Sequence, residues 1–232
     1  MNALLIIGTD TDAGKTVLTT SLAAYWQRYC QGRSLGIMKP IQSGVGDREL
    51  YTELFSLPQT PEEINPIYFT APLAPPIAAA KEGQTIPLEK AWVTFTALRQ
   101  RLDWVLVEAL GGLGSPITSE LTVADLARDW GLPAVLVVPV KLGAIGQTVA
   151  NVALARLTGV KLKGIILNCT QPNSFEQISD LTAIDLIESL THIPVLGILP
   201  YFDNSKDLTQ LAKAASDLEL EQLLPISKLN IQ

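Results

Sequence analysis

In the stretch Gly8-Thr9-Asp10-Thr11-Asp12-Ala13-Gly14-Lys15-Thr16, a lysine and a hydroxyl follow a glycine-bearing loop, and the apolar run 3–7 leads directly into it. A buried strand that ends in such a loop and then opens a helix makes a cradle for phosphate. Backbone N–H groups and the helix N-terminus supply positive potential, Lys15 reaches the outer phosphates, and Thr16 can place its hydroxyl on Mg²⁺. The implied ligand is a nucleoside triphosphate. The usual spacing leaves four residues between an early glycine and the Gly-Lys pair. That early position is Thr9 here, and Gly8 stands one residue before it, so the loop is a variant.

Other residues with chemistry to offer fall at the ends of later apolar runs. Lys39, in Met38-Lys39-Pro40-Ile41-Gln42-Ser43-Gly44, is either a solvated lysine or a second positive charge beside the γ-phosphate. Phosphoryl transfer needs such a charge because negative charge spreads over three equatorial oxygens. Ser43 and Gly44 make a small-residue turn able to approach a ligand. Asp47 reads both as an N-cap for a helix starting at Arg48 and as a magnesium ligand, and the two roles are compatible. Glu108 ends the apolar run Val105-Leu106-Val107, where a carboxylate is costly unless paired or bound to metal, so it is a second Mg²⁺ candidate. Gly111 and Gly112 permit tight turning after it. Asn168 could pair with an adenine edge, Pro200-Tyr201 closes another strand at the same rim, and each also reads as a plain strand exit. In Val140-Lys141-Leu142-Gly143, Lys141 reads as solvated, while backbone N–H groups of the following helix suit a carboxylate. The only histidine, His192, lies outside these strand ends. Nucleophilic acyl chemistry is therefore disfavoured, whereas phosphoryl transfer to an already anionic nucleophile needs no general base.

The loop also differs from that of the partitioning and septum-positioning ATPases. Those carry an extra lysine five residues before the invariant one, and Asp10 occupies that position. Thr11 instead places a hydroxyl near the γ-phosphate, where a second substrate would sit.

These residues need a parallel sheet to bring them together. Short β-branched runs at 3–7, 34–38, 104–108, 134–138, 163–167 and 195–199 alternate with helical patterns at 15–31, 48–56, 88–101, 123–129, 145–157, 175–190 and 206–218. Alternation of this kind predicts an α/β fold, a doubly wound parallel sheet in a single P-loop domain spanning 1–232. Gly32 reads as the cap of the first helix. The proline-rich segment 58–87 reads as an irregular surface excursion with a short helix at 77–81. In such a sheet ligands collect at the carboxyl ends of the strands, where every candidate above falls.

The bulk numbers exclude several classes. At 232 residues and 47% hydrophobic, with mean hydropathy +0.26, the chain can bury a sizeable core. Net charge −6 and no long Lys/Arg cluster argue against nucleic-acid or anionic-membrane partners. Cys30 and Cys169 lie far apart without metal spacing and read as reduced thiols of a cytoplasmic protein; the N-terminus carries no signal-peptide pattern. No apolar run is long enough to span a bilayer.

Taken in order, Thr9-Asp10-Thr11-x-x-Gly14-Lys15-Thr16, Lys39-Pro40-x-x-Ser43-Gly44, Glu108-x-x-Gly111-Gly112 and Val140-Lys141-Leu142-Gly143 resemble dethiobiotin synthetase over almost the whole chain. The resemblance implies a homodimer and an ATP-dependent ring closure: 7,8-diaminononanoate, CO₂ and ATP give dethiobiotin, ADP and phosphate through a carbamate and its mixed anhydride. It implies that Lys15, Lys39 and Thr11 serve the transferring phosphoryl group and carbamate, and that Thr16, Asp47 and Glu108 hold Mg²⁺. Ser43, Thr11, Lys39 and Gly143 would contact the substrate, Gly143 from the neighbouring subunit. The nucleotide would lie against Asp12, Ala13, Gly14, Lys15, Thr16, Val17, Asp47, Glu108, Ala109, Leu110, Gly111, Asn168, Cys169, Pro200, Tyr201 and Phe202. The chain departs from the family pattern at Ala109-Leu110, where Gly-Ala is common, at Cys169, where aspartate is frequent, and at Gly146, where a polar residue often helps hold substrate. An amide-forming ligase of the cobyrinic acid type is the nearest enzymatic rival, but it normally carries a glutaminase domain. A positioning ATPase is the rival from another class, opposed by Asp10 and by the acidic stretch Asp217-Leu218-Glu219-Leu220-Glu221.

Overall fold

A computed structural model describes residues 2–226. The apolar runs form strands β1 (Ala3–Gly8), β2 (Leu35–Met38), β3 (Ile41–Ser43), β4 (Ile67–Phe69), β5 (Trp104–Gly112), β6 (Pro133–Pro139), β7 (Lys161–Asn168) and β8 (Val195–Leu199). Six of them make one sheet in the order β2-β5-β1-β6-β7-β8, and every adjacent pair is parallel. Each parallel neighbour requires a crossover, and the helical stretches between strands supply it.

Both faces of the sheet are covered, which is why the strands read as continuous apolar runs. Successive side chains of β1 point to opposite faces. Ala3, Leu5 and Ile7 enter a core shared with α5 (Leu88–Arg101), α6 (Val123–Asp129) and α7 (Ala144–Thr158). Leu4 and Ile6 enter the opposite core, where α1 (Lys15–Tyr29) and α10 (Leu208–Ser216) contribute Leu18, Leu22, Trp26 and Leu211. With the strands held centrally, their carboxyl ends and the loops that follow define one rim.

The proline-rich segment is more ordered than its composition suggests. It forms α3 (Pro61–Ile64), β4 and α4 (Pro75–Glu82), and β4 pairs in parallel with β3. Ile64, Ile67, Phe69, Ala78 and Ala79 are buried, so the segment is part of the core rather than a surface excursion. Proline is tolerated because it occupies the first turns of α3 and α4, where no intrahelical N–H is needed.

Other boundaries also differ. The expected helix 175–190 is two, α8 (Phe175–Leu181) and α9 (Ile184–Thr191): fully buried Thr182 caps α8 with φ −141 and ψ 51, outside helical conformation. α1 ends at Cys30, whose N–H bonds to Trp26 O, and Gly32 adopts φ +76 in the turn beyond it. α10 starts at Leu208 because Asp207 accepts from the N–H groups of Thr209 and Gln210. β5 continues through Ala109 and Leu110 to Gly112, so no turn follows Glu108 directly. His192 is the left-handed cap of α9 and is exposed.

Candidate active site

The loop after β1 closes tightly on itself. A Cβ on Gly8 would lie 2.6 Å from Asp10 O and 2.9 Å from the Ala13 Cβ, so glycine here permits the close approach that spacing alone left unexplained. Gly14 is the N-cap of α1 with φ +100, and no side chain caps that end. The first-turn N–H groups therefore face the rim, where a phosphate can accept from them. The Nζ of Lys15 donates to Asp10 O at 3.0 Å and Thr11 O at 2.8 Å, folded back over its own loop. Burial pushes this ammonium down from an ordinary 10.5 to about 8, Glu108 opposes that shift, and Lys39 reinforces it.

Below the loop sits a buried polar cluster. Glu108, on β5, is fully buried. Its Oε1 lies 2.7 Å from Lys39 Nζ and 3.0 Å from Thr16 Oγ1. Its Oε2 accepts from Thr19 Oγ1 at 3.0 Å and from the hydroxyl of Tyr51. Burial alone would raise the Glu108 carboxyl, but the charge of Lys39 and the donated hydrogen bonds hold it below the usual carboxylate range. Burial likewise opposes the Lys39 ammonium, and the charges of Glu108 and Asp47 outweigh it and raise its pKa. Asp47 opens α2 (Asp47–Leu54) one residue after its N-cap, Gly46, so its carboxylate is free to reach inward. It pairs with Lys39 and lies 3.1 Å from Thr16 Oγ1.

This cluster fits a divalent ion. The single hydroxyl proton of Thr16 faces two carboxylates, Asp47 and Glu108, and can serve only one at a time. Lys39 compensates one of the two carboxylate charges and the Thr16 hydroxyl can donate to only one of them, so a negative charge is left there for a cation. Among the described residues no group of three His, Cys, Asp or Glu gathers for a metal. Two carboxylates and a hydroxyl suit Mg²⁺, which keeps water and phosphate oxygens in much of its shell.

Two clefts meet at the loop. One, of about 300 Å³, is lined by Asp12, Gly14, Thr16, Val17, Asn168, Cys169, Tyr201 and Phe202. Asn168, at the end of β7, donates to Ala13 O at 3.1 Å while its Oδ1 is buried without a partner. The other, of about 490 Å³, is lined by Lys39, Gln42, Ser43, Asp47, Leu73, Leu110, Gly111 and Ser115. The Ser43 hydroxyl there is also buried without a partner. Thr11, Asp12, Lys15 and Thr16 line both clefts.

Most of the residues expected from sequence gather at these clefts, and a few do not. Ala13 and Ala109 are buried in the two cores, away from both openings. Leu110 and Gly111 line the second cleft rather than the first. Pro200 is exposed beyond β8 and does not line the first cleft, although Tyr201 and Phe202 do. Gly143, the N-cap of α7 with φ +86, lines neither. Lys141 is not simply solvated, since its Nζ lies 3.6 Å from Asp10 Oδ2. Sequence reasoning missed Thr19, Tyr51 and Asn65. Thr19 and Tyr51 stand four residues after Lys15 and Asp47, a spacing that puts each pair on one helix face. Asn65 had no local signal; its Nδ2 donates to Lys39 O at 2.8 Å, and Lys39 N–H donates to Ile64 O, so the proline-rich segment braces Lys39.

A parallel sheet whose first strand–loop–helix forms a phosphate cradle, with one carboxylate on the adjacent strand β5 and another at the start of α2, defines a P-loop nucleotide-binding α/β protein. The same architecture occurs in a ParA family ATPase from Chlorobium tepidum, with TM-score 0.57 at 13% identity over 96% of each chain. Residues 2–209 match the family model described as an AAA domain. The chain is 62% identical to the ATP-dependent dethiobiotin synthetase BioD of Gloeothece citriformis, over 97% of its own length and all of that relative. It is 57% identical to that of Crocosphaera subtropica over 96% of this chain and all of the relative. The chain belongs to the dethiobiotin synthetase family of ATP-dependent carbon–nitrogen ligases.

Proposed function

We propose that the chain closes the ureido ring of dethiobiotin from 7,8-diaminononanoate, CO₂ and ATP, releasing ADP and phosphate. The observation that carries this reading is the pair of clefts joined at Thr11, Asp12, Lys15 and Thr16. A nucleotide in the first cleft and a diamine in the second would meet where the γ-phosphate lies.

One amine adds to CO₂ and loses a proton, giving a carbamate. A carbamate oxygen then attacks the γ-phosphorus as the bond to ADP breaks. The second amine attacks the resulting carbonyl carbon, phosphate leaves, and the ring closes. Lys15 and Lys39 hold the negative charge that develops on the transferring group, and their placement around one rim makes the attack effectively intramolecular. Thr11 and Ser43 orient the carbamate and diamine, with the unpartnered Ser43 hydroxyl free to bond an amine. Asn168, with Oδ1 free, accepts from the adenine amino group, and Tyr201 and Phe202 flank the base. Thr16, Asp47 and Glu108 would hold Mg²⁺, which when bound neutralises phosphate charge.

A homodimer is part of this reading. Leu142, in the turn before α7, and Gly146, Ala150, Ala153 and Leu157 along the helix are exposed small or apolar residues, with Leu142 and Leu157 at 89% and 85% exposure. A second copy would cover them and bring the Gly143 loop to the partner's diamine carboxylate. We place the enzyme in the cytoplasm, in keeping with two buried free thiols; among the described residues no helix is long and apolar enough to cross a membrane.

The test is a product assay with 7,8-diaminononanoate, bicarbonate and MgATP. Dethiobiotin should form, with ATP turnover dependent on diamine and bicarbonate together. ATP turnover driven by lipid or DNA, with no ring-closed product, would favour a positioning ATPase instead.

A further inference from the structure

We propose that Tyr51 is a positioning residue that, with Thr19, fixes the rotation of Glu108 so that its Oε1 faces Thr16 and Lys39. This rests on the reading of Glu108 as a metal ligand and deepens it. Tyr51 is fully buried and donates its hydroxyl to Glu108 Oε2; it has no other acceptor among the described residues. Thr19 is the second donor on that oxygen at 3.0 Å, but its single proton also faces Lys15 O at 2.9 Å. Tyr51 is thus the dedicated donor. With Oε2 held from below, the carboxylate cannot spin without losing a buried hydrogen bond, a costly change in a site closed to water.

The placement has a second consequence. Tyr51 stands four residues after Asp47 on α2, so one helix face carries both. Asp47 reaches Thr16 and Lys39 while Tyr51 anchors the same helix onto β5 through Glu108. The Tyr51 hydroxyl therefore sets how far apart the two carboxylates stand, in addition to how one of them is turned.

The test uses Mn²⁺ as the metal probe, with free Mn²⁺ followed by its electron paramagnetic resonance signal in the presence of ADP. Tyr51→Phe should weaken Mn²⁺ binding about tenfold or more while leaving metal-free ADP affinity unchanged, the scale expected for partners behind a metal ligand. Mn²⁺ affinity within twofold of the unaltered protein would overturn the proposal. Thr19→Val removes the other donor on the same oxygen; it should also weaken Mn²⁺ binding, and it decides the matter if Tyr51→Phe fails to fold by circular dichroism. In a Glu108→Gln background, Tyr51→Phe should add nothing further, and full additivity would overturn a role acting through Glu108. If Glu108→Gln alone keeps normal Mn²⁺ affinity, the metal reading of Glu108 fails. If it loses affinity while Tyr51→Phe and Thr19→Val do not, only the positioning role fails.

Discussion

The ammonium of Lys39 lies 2.7 Å from Oε1 of Glu108, and the two side chains are 8% and 0% exposed. Asp47 completes the arrangement on the other side of the same ammonium. A buried pair of this kind adds little net stability, but removing one partner strands the other's charge. A buried Lys39–Glu108 pair beside Asp47 at the floor of an open cleft fits a chemical role better than a structural one.

Lys39→Gln is expected to lower kcat about a hundredfold or more, with a much smaller change in the KM for ATP, because its charge is needed most as phosphoryl charge develops. Steady-state kinetics with the diamine saturating would measure this. A raised KM at preserved kcat would reduce Lys39 to a binding residue.

Lys15→Ala is expected to remove roughly 3–4 kcal/mol of transition-state stabilisation, about a hundred- to a thousandfold in rate. Circular dichroism should show the fold retained, since Lys15 is satisfied by backbone carbonyls of its own loop. Near-normal turnover would remove Lys15 from the site.

Nucleotide binding should take up a proton at alkaline pH. In the free protein burial lowers Lys15 to about 8, whereas phosphates beside it favour the charged form. Between pH 6 and 7 the lysine is charged with or without nucleotide, and no uptake is expected. Near pH 9 it is largely neutral when free and charged when bound, so affinity should fall as pH rises through 8. Calorimetry in two buffers of different ionisation heat measures the uptake, and identical heats at pH 9 would refute the linkage. Folding carries the opposite sign. The buried charge costs stability below pH 8, and that cost is relieved as pH rises from about 8 toward the unfolded value of 10.5.

Gly14→Ala should damage both the loop and the nucleotide cleft. The position has φ +100, and an added Cβ would lie 2.0 Å from Asn168 Nδ2. Backbone strain alone costs about 1–3 kcal/mol, and displacing Asn168 would release Ala13 O from its hydrogen bond. A lowered melting temperature with weakened ATP binding is expected. Unchanged values for both would show that Asn168 moves freely.

The assembly reading can be tested by mixing. Lys15→Ala chains and chains with Gly143→Glu should each be inactive alone yet partly active together, because one composite site in the mixed dimer is intact. Dilution below the dimer dissociation constant should lower activity per chain. A fully active monomer in sedimentation would rule out a shared site.

The sequence by itself determined the parallel α/β fold, because strands buried on both faces must be apolar throughout and their crossovers must be helical. It also determined the phosphate loop and the residues at the strand ends, whose chemistry is written in local order and spacing. What it could not determine was which donors hold Glu108, since Tyr51 and Lys39 come from elements 57 and 69 residues away. It misread the proline-rich segment for a similar reason. Proline marks broken local structure, but whether the pieces pack depends on partners such as β3, and on the long-range bond from Asn65 to Lys39. The break at Thr182 left no local mark either, because helical periodicity continues across the residue whose backbone leaves the helix. Only the tertiary structure set Asn168 against Gly14, where two residues 154 positions apart in the chain leave no room for a Cβ.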